Sequence, residues 1–399
     1  MRLPEVKRKL LFVEVKLSPY SGGSCVSAWA LQALAEQWEV TLLTATRPDF
    51  EGVNRHFGTQ LREADFTVWQ LPFPLGHLGK LDPDPFSVQP LAFLMRQCQR
   101  RVHEFDVCVS CVDEFDFGRP GVQYIHYPHM TRHAESLRAA ENLSFSQKIR
   151  GLFNGSYRPW MLISGISLSR VRSNLMVTNS NWTADVLRRV YEVNPVVLYP
   201  PVYWGGTDKS WPLRRNAFIV LGRLSPEKRQ LDLIEIIERV RARGFAVSLD
   251  IIGDEDVIAG KEYINKIKDR LKLTDGWARL HQSVTRARLE ELVSDCRYGL
   301  HGFQHEHFGI AVAEMVRAGC IVFVPDGGGQ TEIVGDKPGL RYRSDDEAVD
   351  KICRLLDDEA EQARLRQVLK ADAMQFEESY FLKGMQDLVA DFAAGNNQE

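Results

Sequence analysis

Two glutamates stand eight positions apart in the stretch His301-Gly-Phe-Gln-His-Glu306-His-Phe-Gly-Ile-Ala-Val-Ala-Glu314, one on each side of an expected helix start. From Phe308 to Ala318 the residues Ile310, Val312, Ala313, Met315 and Val316 predict an almost wholly apolar helix, with Gly319 at its stop position. Phe308, Gly309 and Ile310 then carry the unpaired first-turn amides. Those amides and the positive helix end suit a phosphate, and Gly309 lacks a side chain that would block its approach. At ~1.5 Å of rise per residue, the two carboxylates lie on the order of 10 Å apart, too far to share a proton. A carboxylate beside a phosphate is costly unless it has hydroxyl donors of its own, so the ligand suggested has sugar hydroxyls on both sides of a phosphate. A nucleotide sugar fits that description. The alternative for this segment alone is a buried helix with one solvated and one capping glutamate.

A second cluster lies upstream. Ala217-Phe-Ile-Val-Leu-Gly222 reads as a buried strand running into Arg223-Leu-Ser-Pro-Glu-Lys228, before a helical pattern from Leu231 to Arg243. Gly222 allows a sharp turn at the strand's carboxyl end, where open α/β sheets bind ligands, and Pro226 stiffens the loop. Arg223 offers a planar fork for phosphate oxygens and Lys228 a compact charge. Taken alone, the segment reads equally as a solvated basic loop with a helix-starting Pro-Glu pair.

The elements that must position these residues follow a βα rhythm. The first half begins as a strand at 10–15, turns at Ser18-Pro-Tyr-Ser-Gly22-Gly23-Ser24, continues as a helix through Ala35 and returns as a strand at 40–44. Further strands are expected at 67–71, 107–111, 122–126 and 175–178, with helices at 89–105 and 181–190. Residues 196–212, containing Tyr199-Pro-Pro-Val, read as a linker between a domain of 1–195 and one of 213–380. Strands at 218–222, 247–253, 278–280, 298–301 and 321–324 repeat the pattern, so the expected class is α/β, with two doubly wound Rossmann-like domains facing a cleft. Helices at 359–381 and 384–394 close the chain, and 381–399 is expected to pack on the first domain.

Composition bounds the answer without naming a partner. In 399 residues, 44% hydrophobic and 26% charged is ordinary globular usage, and a net charge of −3 argues against a nucleic-acid binder driven by bulk attraction. The segment after Met1 leads into a short apolar strand with no small-residue cleavage site, and no apolar run approaches the ~18 to 20 residues that span a bilayer. Seven scattered cysteines suit a reducing cytoplasm. Cys108-Val-Ser-Cys111 lies in an expected buried strand with no second pair, which argues against zinc. Asp82-Pro-Asp84 and Asp254-Glu-Asp256 spell D-x-D, yet one lies in a proline-rich loop and the other after a strand, and neither reads as a metal site. His129, His133, His305 and His307 read as loop residues rather than a metal cluster. His126 ends an apolar strand and precedes Tyr127-Pro128, so it is presented at a strand tip; a satisfied core histidine is the other reading. Residues 132–172 interleave Arg132, Arg138, Lys148, Arg150, Arg158, Arg170 and Arg172 with Phe145, Phe153, Tyr157 and Trp160. That pattern suits an anionic membrane surface or a lipid phosphate, or else a solvated helical pair with core aromatics.

Several segments resemble one family. Gly222-Arg-Leu-Ser-Pro-Glu-Lys228, Glu306-x7-Glu314, Leu249-Asp-Ile-Ile-Gly253-Asp, Gly327-Gly-Gly-Gln-Thr-Glu-Ile-Val334 and Asn179-Ser-Asn-Trp-Thr183 with Tyr199-Pro-Pro resemble retaining glycosyltransferases of the GT-B fold with an E-x7-E motif. The resemblance covers most of 175–381; earlier it rests on Gly22-Gly23 and Tyr124-Ile-His126-Tyr-Pro128. Glu306-His-Phe-Gly-Ile and Ile125-His-Tyr-Pro look most like mannosyltransferases that extend lipid-linked oligosaccharides. The resemblance implies an acceptor-side first domain and a second domain that binds the nucleotide sugar. It implies that Arg223 and Lys228 hold the donor diphosphate with Gly222 and Gly253 beside them, that Glu306 touches the sugar's hydroxyls, and that Glu314 takes the ribose hydroxyls. It also implies that the amides of Phe308, Gly309 and Ile310 cradle phosphate, that Gly22 and Gly23 approach the diphosphate or sugar, and that His126 lies against the sugar. No metal or cofactor is implied, the nucleotide diphosphate sugar being a substrate. The family usually has Pro-Ser before the first glutamate, where this sequence has Phe303-Gln304-His305.

The expected function is transfer of a hexose, mannose or glucose, to a hydroxyl acceptor such as a glycan or lipid-linked saccharide, in the cytoplasm or at its membrane surface. A nucleotide-sugar epimerase and a non-catalytic sugar-nucleotide sensor or complex subunit are the other readings. A glycosidase with paired carboxylates leaves Arg223 and Lys228 unexplained.

Overall fold

The computed structural model describes residues 7–18, 21–72, 88–128, 163–207, 209–254 and 260–395. The chain divides into two compact units, one running to Pro201 and resuming at Glu378, the other spanning Val202–Glu377. The division at Pro201 falls inside the expected linker.

The first unit is built on strands β1 (Lys9–Glu14), β2 (Glu39–Thr44), β3 (Phe66–Gln70), β4 (Val107–Ser110), β5 (Val122–Ile125), β6 (Leu175–Thr178) and β7 (Val196–Val197), in the order β3-β2-β1-β4-β5-β6-β7. Every pairing is parallel. Leu10, Leu11, Phe12 and Val13 of β1 are fully buried, as a continuous apolar run must be when helices cover both faces of a parallel sheet. The helix Gly22–Ala35 follows β1, and the carboxyl-terminal helix Glu378–Gly395 packs on it through a stripe of Phe381, Met385, Val389 and Ala393. Their spacing of four puts one side chain per turn on the same face. Gln386 Nε2 donates to Ala33 O at 2.9 Å, and the Phe381 ring lies 6.2 Å from Tyr124.

The second unit carries β8 (Arg215–Leu221), β9 (Ser248–Ile252), β10 (Ala278–His281), β11 (Cys296–Leu300), β12 (Ile321–Pro325) and β13 (Arg341–Tyr342), in the order β10-β9-β8-β11-β12-β13, again all parallel. In both sheets the order reverses beside the first strand of the unit, so the carboxyl ends of β1 and β4, and of β8 and β11, border the switch points where such folds bind ligands. The expected helix from 359 to 381 differs: Glu359–Asp372 ends in a 3-10 turn at Ala373–Phe376, and a new helix starts at Glu378.

The basic stretch expected at 132–172 lies mostly outside the described residues. At its described end, Arg170 forms a bidentate pair with Asp116, which is fully buried and also accepts the amides of Ser167 and Gly118. Arg170 therefore pairs with a buried carboxylate of the first unit while its own side chain stays 42% exposed. No helix among the described residues is long and apolar enough to cross a membrane.

Candidate functional site

In the second unit, β8 ends at Leu221 and the chain turns through Gly222, whose φ of 143° suits glycine. A Cβ on Gly253, just after β9, would fall 2.0 Å from Gly222 O, so contact excludes a side chain at Gly253, while at Gly222 it is the positive φ that disfavours one. The loop then makes a 3-10 turn over Pro226–Lys228 before the helix Gln230–Ala242. Lys228 Nζ lies 2.6 Å from Glu306 Oε2 and 4.5 Å from the Phe303 ring centre. Both partners are largely enclosed, at 14% and 18% side-chain exposure, so water screens the pair little.

His301 closes the group. It follows β11, is buried, and its Nε2 donates to the same Glu306 oxygen at 3.1 Å. Burial lowers the His301 pKa below its usual value against the pull of Glu306, so the ring is neutral at pH 7 and Nε2 carries the proton. Burial pushes the Glu306 carboxyl up, but the His301 hydrogen bond and the Lys228 charge outweigh it, leaving the group well below the usual carboxylate range.

The Glu306 loop is held by the glycines at 327–329. A Cβ on Gly328 would lie 2.4 Å from Glu306 O, and one on Gly329 would lie 2.2 Å from His307 O. Gly329 N donates to Glu306 O at 2.7 Å, and Gln330 Nε2 donates to Phe303 O at 2.8 Å. The Gly-Gly-Gly-Gln segment thus fixes the backbone that aims Glu306.

The helix beyond it is shorter than expected. It runs Ile310–Arg317 with Gly309 as its left-handed N-cap at φ 105°, and the first intrahelical bond is Ala313 N to Gly309 O at 3.0 Å. The first-turn amides are therefore those of Ile310, Ala311 and Val312: of the three expected, Ile310 stays in the set, Gly309 becomes the cap and Phe308 lies outside the helix. Phe308 instead packs its ring 5.4 Å from Phe376. Gly309 borders Glu306, whose Cγ would lie 3.3 Å from a Cβ there, so the glutamate stands at the helix mouth.

Glu314, inside that helix, is neither solvated nor a cap. Its Oε1 accepts from Arg286 Nη1 at 2.5 Å, and Arg286 also bonds Glu290 and the Tyr203 carbonyl. Arg223 is 62% exposed and pairs with Glu227 at 3.3 Å, so the structure brings Lys228, not Arg223, to Glu306. Neither His301 nor Arg286 is marked in the sequence as a partner of these glutamates.

In the first unit, Gly22 and Gly23 open their helix as its first two residues, with Ser21 capping Ser24 N. A Cβ on Gly23 would sit 3.5 Å from His126 Nε2, so the amide-rich helix start and the imidazole are neighbours. His126 follows β5; its Nε2 donates to Cys111 O at 3.2 Å, and its amide donates to Asp113 Oδ1 at 2.6 Å. Asp113 adopts a left-handed φ of 61° to make that contact.

Glu14, at the end of β1, is 6% exposed and accepts from Ser27 Oγ. Burial, with a smaller push from Asp113, raises its carboxyl to about 7 against the hydrogen bonds of Ser27, Lys16 and Val15. The folded chain therefore keeps a proton that the unfolded chain loses from about pH 4.5 upward, so this group costs stability as pH rises to about 7 and no more beyond it. The cost reaches about 3 kcal/mol. Urea denaturation at pH 5 and pH 8 is expected to show that Glu14→Gln loses less stability than the wild type across that interval; equal losses would contradict the buried carboxyl.

Cys108 and Cys111 are buried, and Cys108 meets Cys98. Asp254 accepts Ser283 N, while 82–84, 129, 133 and 256 lie outside the described residues. Among the described residues, no group of three or more His, Cys, Asp or Glu could hold a metal.

Residues 207–372 match the family described as glycosyl transferases group 1, so the second unit carries a domain of that family. The two-unit fold is that of GT-B glycosyltransferases: the structure of Anabaena HepE in complex with UDP-glucose superposes with a TM-score of 0.63 over 97% of this chain and 100% of that one, at 16% identity. Among curated proteins, the chain is similar to two named GDP-Man:Man(3)GlcNAc(2)-PP-Dol alpha-1,2-mannosyltransferases. That of Candida glabrata is 23% identical over 52% of this chain and 43% of its own length; that of Dictyostelium discoideum is 22% identical over 69% and 60%. The chain thus spans less than two thirds of the length of either relative.

Proposed function

We propose that the chain transfers a hexose from a nucleoside diphosphate sugar to a hydroxyl of a glycan or lipid-linked saccharide, with retention of configuration and without a metal. The names of its relatives support mannose and a guanosine donor. The observation that carries the reading is the Lys228–Glu306–His301 cluster at the mouth of the helix Ile310–Arg317, within a glycosyl transferase group 1 domain.

In this reading the diphosphate draws Lys228 and the first-turn amides, and Glu306 turns from Lys228 to the hydroxyls of the donor sugar. Lys228, helped by Arg223, stabilises the charge that grows on the departing diphosphate, which supports chemistry independent of a metal. Glu314 takes the ribose hydroxyls. In the first unit, the amides at Gly22 and Gly23 and the His126 imidazole are assigned to the sugar and its phosphate. The basic, aromatic sequence of 132–172 supports contact with a lipid phosphate or anionic surface, Arg170 excepted. The stereochemistry is tested by proton NMR of the product formed from an α-linked donor, with and without a chelator. An α product at an unchanged rate is expected; a β product, or loss of turnover with chelator, would contradict retention or metal independence.

A further inference from the structure

We infer that Arg286 is the positioning residue that sets how Glu314 reads the ribose of the nucleotide, an inference that rests on the donor-binding reading of the site. Three acceptors from three segments fix its guanidinium: Nε on Glu290 Oε1 at 2.8 Å, Nη2 on Tyr203 O at 2.7 Å and Nη1 on Glu314 Oε1 at 2.5 Å. Glu290 is itself held by Gly205 N at 3.1 Å, and the rings of Tyr203 and Trp204 lie 5.8 and 5.6 Å from the guanidinium carbon. Arginine is thus anchored without Glu314, and Glu314 is anchored by arginine.

Location argues that this arrangement serves the carboxylate and not the helix. Arg286 is the first residue of the helix Arg286–Asp295, where a positive charge opposes the helix dipole. Two carboxylates offset that cost. Their side chains and that of Arg286 are 13 to 18% exposed, so the contacts are shielded from water. A carboxylate has two oxygens; with Oε1 committed to Nη1, Oε2 is the one left to accept from ribose hydroxyls, at an orientation the arginine sets. Without Arg286, Glu314 keeps its chemistry but loses its aim, and the loss falls on the hydroxyl contact rather than on the base or phosphates.

Calorimetric titration with GDP and UDP, each beside its 2′-deoxy and 3′-deoxy counterpart, tests this. The wild type is expected to prefer a ribonucleotide over its deoxy form by about tenfold, as one hydrogen bond to a charged group provides. In Arg286→Ala the ribonucleotide weakens by about that factor and the preference falls to within about twofold, while Arg286→Lys keeps an intermediate preference. An unchanged preference in the alanine variant overturns the role of Arg286. If melting shows that variant unfolded, the lysine variant decides by the same ratio. Binding of neither GDP nor UDP by the wild type, or a preference that survives Glu314→Ala, overturns the underlying donor reading instead.

Discussion

Lys228→Ala is expected to lower hexose transfer by about 10²–10³-fold while the chain still folds. The loss corresponds to about 3–4 kcal/mol of transition-state stabilisation, the usual consequence of removing one preorganised group from a developing negative charge. Lys228 is suited to that task because its ammonium is held in place before any ligand arrives, between Glu306 and the Phe303 ring. The fold should survive because Lys228 sits on a 3-10 turn outside the sheets, and Glu306 keeps its His301 bond when the lysine is gone. Rates with saturating donor, alongside melting curves, check the prediction. A folded variant with full turnover would remove Lys228 from the reaction.

Glu306→Ala is expected to cost as much, for a different reason. In the proposed reaction it removes the acceptor for sugar hydroxyls and frees the Lys228 ammonium to stay on the diphosphate, so donor binding is expected to persist while transfer falls by about 10²–10³-fold. Because His301 and Lys228 overcome the effect of burial and keep its carboxyl ionised, Glu306 itself contributes no titration step between pH 5 and 9. A depressed carboxyl contributes above its unfolded value and is lost only well into acid. Steady-state kinetics across that range, with GDP binding measured separately, check both parts. Loss of donor binding together with transfer would instead place Glu306 on the nucleotide.

Most of the scaffold was legible because parallel strands buried on both faces spell short apolar runs, as 10–15, 218–222 and 321–324 do. The two-residue strands Val196–Val197 and Arg341–Tyr342 were not, since two residues have no periodicity. The helix start moved because Gly309 takes a left-handed conformation that ends helical bonding, and Phe308 goes to the core; composition there reads as continuous helix. Likewise nothing between Phe376 and Phe381 marks the extended Glu377 that separates two helices. The paired glutamates and Lys228 were readable from residue type and spacing. Their partners were not: Arg286-Ala-Arg-Leu-Glu290 looks like an exposed helix laced with ion pairs, and its bond to Glu314 joins residues 28 apart. His301 stood in plain view, but only the turn of the loop back to β11 puts it on Glu306.

In the proposed reaction the second unit activates a nucleotide sugar for an acceptor. Release of GDP from GDP-mannose is the direct measurement, made with the wild-type chain in the presence and absence of a lipid-linked mannosyl oligosaccharide. Acceptor-dependent release is expected, matched by one hexose added to the acceptor for each GDP formed. Tight GDP-mannose binding with no acceptor-dependent release, from this donor or from its UDP-hexose counterparts, would contradict it.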